Sequence, residues 1–147
     1  MSYKPFFVIL VLSFFTMYSV MFLNVDEASH IYLSLTRFYM SLLMVCPMAI
    51  IMLIMMRKMY SNKKLNGAII TVVSLVFIFS LVPLRTQAFV EDRNYIKAMI
   101  PHHSSAILTS KHVHISDPEL RQLSEEIISS QEKEIAQMKA ILERLQK

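Results

Sequence analysis

Three long stretches without a charged residue constrain this chain more than any other feature. They are Phe6–Leu23, Phe38–Met56 and Leu65–Leu84. Each is close to the ~20 residues that an α-helix needs to cross the hydrocarbon core of a bilayer. Hydrophobic residues make up 54% of the 147 residues and there is a single glycine, which argues against a water-soluble globular enzyme. We therefore predict an all-α protein in which residues 1–85 form a membrane domain with three transmembrane helices (about 6–23, 38–56 and 65–84).

The first apolar stretch has a second interpretation, a cleaved signal peptide. It is long for the apolar core of a signal peptide, and the residues after it, Asn24-Val25-Asp26-Glu27, contain no small-x-small cleavage site. These features favour an uncleaved membrane anchor.

The distribution of charge predicts the topology. Residues 1–85 hold seven Lys/Arg against two Asp/Glu, which gives +5, whereas residues 86–147 hold eight against nine, which gives −1. The basic excess therefore lies in the hydrophobic half and indicates membrane orientation, not a nucleic-acid surface. Four bases lie in the second link, Arg57–Asn66. Because Lys and Arg near span ends stay in the cytoplasm, the N-terminus is predicted to be cytoplasmic and residues 86–147 extracytoplasmic.

The second apolar stretch carries a methionine pattern. Met44, Met48, Met52, Met55 and Met59 fall within roughly 80° of one helix face at 100° per residue. Thioethers are soft ligands that select Cu(I), so Met44, Met48 and Met52 are weaker candidates for metal ligands. The simpler interpretation is that methionine fills space between helices or faces lipid.

From Thr86 onward the sequence predicts two amphipathic helices. Apolar residues recur at helical spacing over about Thr86–Lys111, with Pro101 expected to kink this helix just before two histidines. Ser116-Asp117-Pro118-Glu119 is a strong helix start, so the second helix is expected from Pro118 to about Leu145. We predict that residues 86–147 form an extracytoplasmic helical hairpin.

One face of the second helix is apolar at both ends and polar in its middle. Buried without partners, its central Gln131 and Glu134 would cost several kcal/mol, so other groups should pair with them. The first helix offers Met99, His102 and His103 within one turn. The predicted face consists of Leu120, Ser124, Ile127, Gln131, Glu134, Met138, Ile141 and Leu145.

These residues resemble a known family. The segments that carry the resemblance are Met99-Ile-Pro101-His102-His103, Asp117-Pro118-Glu119-Leu120-Arg121 and Gln131-Glu-Lys-Glu134-Ile135-Ala-Gln-Met138. Over about residues 89–145 they are similar to the domain of unknown function 305 (DUF305). The resemblance implies a ferritin-like helical bundle, usually exported or attached to the bacterial inner membrane, with several members linked to copper or silver. The sequence departs from the family pattern at Ser105, Thr109 and Ala140, and the missing methionine at 109 removes one soft ligand.

We interpret the meeting point of the two helices as a candidate copper site. Its proposed ligands are Met99, His102, His103, Glu134 and Met138, with Gln131 orienting one of them. The alternative is structural: a buried histidine that bonds to Glu134 or Gln131 and sets helix register without metal. His112 and His114, in the link after the first helix, are weaker metal candidates.

The sequence shows no nucleophile constellation, phosphate loop or Glu-x-x-His pairing of the di-iron type, so an enzyme is not predicted. The predicted function is a membrane-anchored extracytoplasmic protein that binds copper or silver. The alternative is a structural or accessory subunit of a larger membrane complex. Besides the lipid bilayer, a homodimer is expected, because Ile128, Ile135 and Leu142 form a second apolar stripe that a four-helix bundle of two hairpins would cover.

Overall fold

A computed structural model describes residues 2–146, and within that range the chain is helical with no β-strand. The predicted all-α class is therefore confirmed. A short 3₁₀ turn, Ala28–His30, lies between the first two helices. The helices are α1 (Lys4–Val20), α2 (Leu35–Met55), α3 (Lys63–Thr86), α4 (Asp92–His112) and α5 (Pro118–Gln146).

The chain divides into two compact units. The first contains the residues up to Met21 together with Thr36–Phe89, and the second contains Phe22–Leu35 together with the residues from Val90 onward. The predicted membrane domain, residues 1–85, included the link between α1 and α2. The link instead folds with the hairpin, because its polar groups bond to α4 and α5 and Tyr32 packs against their apolar core.

In the first unit, α2 and α3 are long and apolar enough to cross a membrane. Helix α1 is equally apolar but has 17 residues. At 1.5 Å per residue it spans about 26 Å, somewhat less than the ~30 Å of a bilayer core. Of the three predicted spans, two thus correspond to helices of sufficient length, and the first corresponds to a shorter helix.

The N-terminal part of α1 packs with α2 and α3 around a small cluster. Phe6 has no exposed surface and contacts a cluster that includes Leu53 and Tyr60. Beside it, the Tyr3 hydroxyl donates to Asn66 Oδ1 at 2.7 Å. Met52, one of the methionines on the predicted face of α2, packs against this cluster. Filling space in an apolar core is a common role of methionine.

In the second unit, α4 and α5 form the predicted hairpin. Ile96, Ile100 and Ile107 of α4 are buried against Ile135 and Leu142 of α5. Further apolar side chains pack around this core: Tyr32, Ile128, Met138 and Leu145.

The buried face of α5 matches the predicted one in part: Ser124 is buried, and Met138 and Leu145 pack against the core as expected, but the centre of the face is shifted. Ile135 is 4% exposed and Leu142 3% exposed, whereas Leu120 is 51% exposed and Ile141 39% exposed. The stripe of Ile128, Ile135 and Leu142 is thus covered within the chain, contrary to the expectation that a second copy is needed to cover it. The dimer itself stays a prediction. This stripe is apolar along its whole length, so it buries more hydrocarbon than a face with a polar middle.

The helix boundaries of the hairpin follow local chemistry. Helix α4 begins at Asp92, later than the predicted Thr86, because Gln87 and Phe89 have positive φ angles of 54° and 66° and interrupt the helical path. Helix α5 begins at Pro118 as predicted. Its first turn is capped by Asp117, whose Oδ1 accepts the Leu120 N–H at 2.8 Å.

Candidate functional site

A histidine–glutamate pair joins the two helices at the middle of the hairpin. His103 Nε2 lies 2.7 Å from Glu134 Oε2, and His103 Nδ1 lies 2.9 Å from the Met99 carbonyl oxygen. Both ring nitrogens thus face oxygen acceptors, so each donates when the ring carries two protons. The His103 side chain is largely buried at 11% exposure, and the Glu134 side chain is 45% exposed.

Glu134 is held as a carboxylate from both sides. Its second oxygen, Oε1, accepts the Ser130 hydroxyl at 2.8 Å. These hydrogen bonds lower the pKa of Glu134 below its ordinary value. The bond from Ser130 contributes most, and the bond from His103 is second. Glu134 is therefore an ionised carboxylate near neutral pH.

Two methionines are placed one helical turn from this pair. Met99 precedes His103 by one helical turn, and Met138 follows Glu134 by one turn. Because α4 and α5 run antiparallel, these displacements carry both methionines toward the same side of the pair. Met99 is half-buried, and Met138 is half-buried against the core.

The other predicted residues of the site, Gln131 and His102, do not contact the His103–Glu134 pair as directly. Gln131 is half-buried one turn before Glu134 on α5. His102 is exposed, and its ring centroid lies 6.0 Å from that of His103. This is the divergence expected of adjacent residues on a helix.

The weaker candidates lie elsewhere. His112 is exposed with Nδ1 2.9 Å from the Leu108 carbonyl, and His114 is exposed in the hairpin link. Met44, Met48 and Met52 belong to α2 in the other unit. Within residues 2–146, no group of three or more His, Cys, Asp or Glu residues could hold a metal ion.

Sequence reasoning missed a second histidine, His30 in the α1–α2 link. It is 6% exposed, and its Nδ1 lies 2.9 Å from the hydroxyl of Ser104, which has no exposed surface. The pKa of His30 is lowered from 6.5. Burial is the largest cause, and the positive charge of Lys139 is the second. The one available signal was the polar run Asn24–His30 between two apolar stretches, which is longer than a simple turn requires.

Comparison with known proteins identifies the family of the chain. Residues 79–145 match the family described as domain of unknown function DUF305. The chain is also 38% identical over 127 residues to the uncharacterized protein L153 of Acanthamoeba polyphaga mimivirus, covering 85% of this chain and 82% of the viral protein. The chain belongs to the DUF305 family. This confirms the family predicted from the histidine pair and the Gln131–Met138 segment.

The two matches differ in extent. The similarity to L153 is longer than the DUF305 segment, so this DUF305 protein shares with its viral relative a part of the preceding hydrophobic half. Phe22–Leu35 lies outside the DUF305 segment but folds with the larger part of it, residues 90–145. No solved structure matches the chain.

Proposed function

We propose that this DUF305 protein is a membrane-anchored metal-binding protein that holds one copper ion, or its chemical analogue silver, in the middle of the hairpin. The observation that carries the proposal is the direct contact between His103 Nε2 and Glu134 Oε2 at 2.7 Å, with a thioether one turn away on each helix. Imidazole, carboxylate and thioether together form a mixed donor set that suits copper in either oxidation state.

The hydrogen bonds around His103 and Glu134 determine which of their atoms would bind a metal ion. The Met99 carbonyl fixes the Nδ1 proton of His103, which leaves Nε2 as the nitrogen that would bind an ion. Ser130 orients the Glu134 carboxylate. The proposed ligands are thus Met99, His103, Glu134 and Met138, and an ion would take the place of the proton that His103 and Glu134 share. His102 faces solvent, so it would serve only at the edge of the site.

A metal titration of the whole chain in detergent tests the proposal. The segment 86–147 alone is unsuitable, because the α1–α2 link is part of the same folded unit. Under reducing conditions Cu(I) should bind at one equivalent with sub-micromolar affinity in competition with a chromophoric chelator. Met138→Leu conserves volume and should weaken binding at least tenfold, whereas Met52→Leu should not. Absence of stoichiometric Cu(I) and Ag(I) binding would overturn the proposal.

We further propose that α2 and α3 cross the membrane, that α1 anchors the N-terminal end, and that the hairpin lies outside the cytoplasm. The apolar character of α2 and α3 and the basic link Arg57–Asn66 support this orientation. Phe22–Leu35 and the hairpin form one compact unit, so they must lie on the same side of the membrane. The bacterial inner membrane and its periplasmic side stay predictions.

A second candidate is a docking role in a membrane complex. Leu120 and Leu123, near the start of α5, are each about half exposed, with exposures of 51% and 50%. Such side chains offer a contact for another subunit or for a second copy of the chain. Co-purification of a stoichiometric partner in mild detergent, lost in Leu123→Lys and combined with no metal binding, would favour this role.

A further inference from the structure

The α1–α2 link, Phe22–Leu35, is fastened to both helices of the hairpin, and we call it the strap. On α4, the Ser104 hydroxyl accepts the Asp26 backbone N–H at 2.8 Å, and Lys111 Nζ lies 2.8 Å from the Asp26 carboxylate. On α5, Lys139 donates to the Ser29 hydroxyl at 3.2 Å. The strap therefore has specific polar contacts with both helices and is not a loose connection.

His30 lies at the centre of these contacts. The Ser104 hydroxyl oxygen already accepts the Asp26 N–H, so its own proton is available to donate to His30 Nδ1, 2.9 Å away. In that arrangement the His30 ring carries no proton on Nδ1. Since His30 is 6% exposed and Ser104 is fully buried, water cannot easily replace this bond.

We propose that the strap is an acid-released latch: protonation of His30 detaches Phe22–Leu35 from α4 and α5. A protonated ring donates from both nitrogens, so the Ser104 oxygen must accept from His30 as well as from Asp26, and its own proton loses its acceptor. It also carries a charge in a site that is largely closed to water, where an ion without full compensation is costly.

The charges around His30 act in both directions. Lys139 from α5 and Lys111 from α4 oppose a positive ring, whereas Glu27 and Asp26 of the strap favour it. Glu27 Oε2 is 3.7 Å from His30 Nε2, but its side chain is 62% exposed, so solvent weakens its effect. Glu132 of α5 lines the same cavity and is 3.6 Å from Lys111.

Burial and Lys139 prevail over these carboxylates, and the pKa of docked His30 is lowered from 6.5. A released His30 returns to its ordinary pKa and binds its proton more readily than the docked one. The docked strap is therefore fully stabilised above pH 6.5 and loses stability as the pH falls below that value.

Release would change the surface of the hairpin. The strap residues Asp26, Glu27 and His30 line a cavity of about 250 Å³ together with Ile107 and Ile135, which are 1% and 4% exposed. Ser104, the anchor of the strap on α4, directly follows His103 in the chain. Detachment of the strap would thus open apolar surface beside the His103–Glu134 pair.

Spin-label distances in the full-length protein test the latch. Nitroxides are attached at Ala28→Cys in the strap and Gln137→Cys on α5, in a Cys46→Ser background; both labelled positions are exposed. Near pH 7.5 we expect one narrow distance distribution, and near pH 5 an added population at longer distance. His30→Asn, which can still accept the Ser104 hydrogen bond but cannot titrate, should keep the narrow distribution at both pH values.

Two further variants separate His30 from the other histidines. His112→Asn, at an exposed histidine of α4, should leave the pH response unchanged. Glu27→Gln removes a carboxylate that favours protonated His30 in the docked state, so release should begin at higher pH. If the distances do not change with pH, if His30→Asn keeps the response, or if Glu27→Gln moves release to lower pH, the latch is refuted.

Discussion

At the residue scale, the contact between His103 and Glu134 was predictable from the sequence. A polar middle on an otherwise amphipathic helix requires partners, and α4 offered histidines at the matching height. The choice between His102 and His103 was not predictable, because it depends on the rotation of α4 about its axis. The role of His30 was not predictable either, because nothing in the sequence of the strap indicates that its partner is Ser104, 74 residues away.

The lowered pKa of Glu134 predicts an acid-sensitive hairpin. A carboxylate whose folded pKa is depressed stabilises the fold above its unfolded value of 4.5 and loses that contribution as the pH falls further. Glu134→Gln should therefore show a smaller drop in urea midpoint between neutral pH and pH values below 4.5 than the parent protein. Glu143→Gln, at an exposed position of the same helix, is the control. An undiminished acid response in Glu134→Gln would show that the pair does not stabilise the hairpin.

Ser104 predicts the strength of strap docking at neutral pH. Ser104→Ala removes a fully buried hydroxyl that serves both Asp26 and His30. Leaving such groups unsatisfied costs about 1–3 kcal/mol. Amide exchange in Phe22–Leu35 should accelerate accordingly, while exchange at the start of α1 stays unchanged. Ser129→Ala, on the exposed side of α5, should alter neither segment.

At the element scale, the helices were predictable and the contact face of α5 was predictable only in part. Asp117 and Pro118 define the start of α5, and the apolar spacing defines its length. Two apolar stripes compete on α5, and periodicity alone does not choose between them. Tertiary packing selects the stripe of Ile135 and Leu142, with Tyr32 of the strap adding apolar cover that the predicted two-helix hairpin lacked.

A matched pair of substitutions on α5 tests this choice of face. Ile135→Ala removes a side chain that is 4% exposed, and Ile141→Ala removes one that is 39% exposed. The first should lower the free energy of unfolding by about 2–5 kcal/mol and the second by less than about 1 kcal/mol. The measurement is urea denaturation in detergent followed by circular dichroism. Equal losses, or a larger loss for Ile141→Ala, would support the face predicted from the sequence.

At the scale of the whole molecule, each of the two units is built from two separate segments of the chain. The sequence places a boundary near residue 85, where hydropathy changes, and the structure has a corresponding boundary at Phe89. The hydropathy profile cannot show that Phe22–Leu35 joins the polar unit, because this segment looks like an ordinary link. Long-range contacts such as Asn24 with Ser105 decide its membership.

This membership sharpens the test of membrane topology. If Phe22–Leu35 and the hairpin fold together, cysteines introduced at Ala28 and at Ser130 must react with an impermeant thiol reagent from the same side of the membrane. The basic link Arg57–Asn66 predicts that a cysteine at Ser61 reacts only after permeabilisation. The measurement is labelling of single-cysteine variants in intact cells, in a Cys46→Ser background. Labelling of Ser61→Cys alone would invert the orientation and leave the fold intact. Opposite accessibility of Ala28→Cys and Ser130→Cys would separate the strap from the hairpin, and the latch would then have no structural basis.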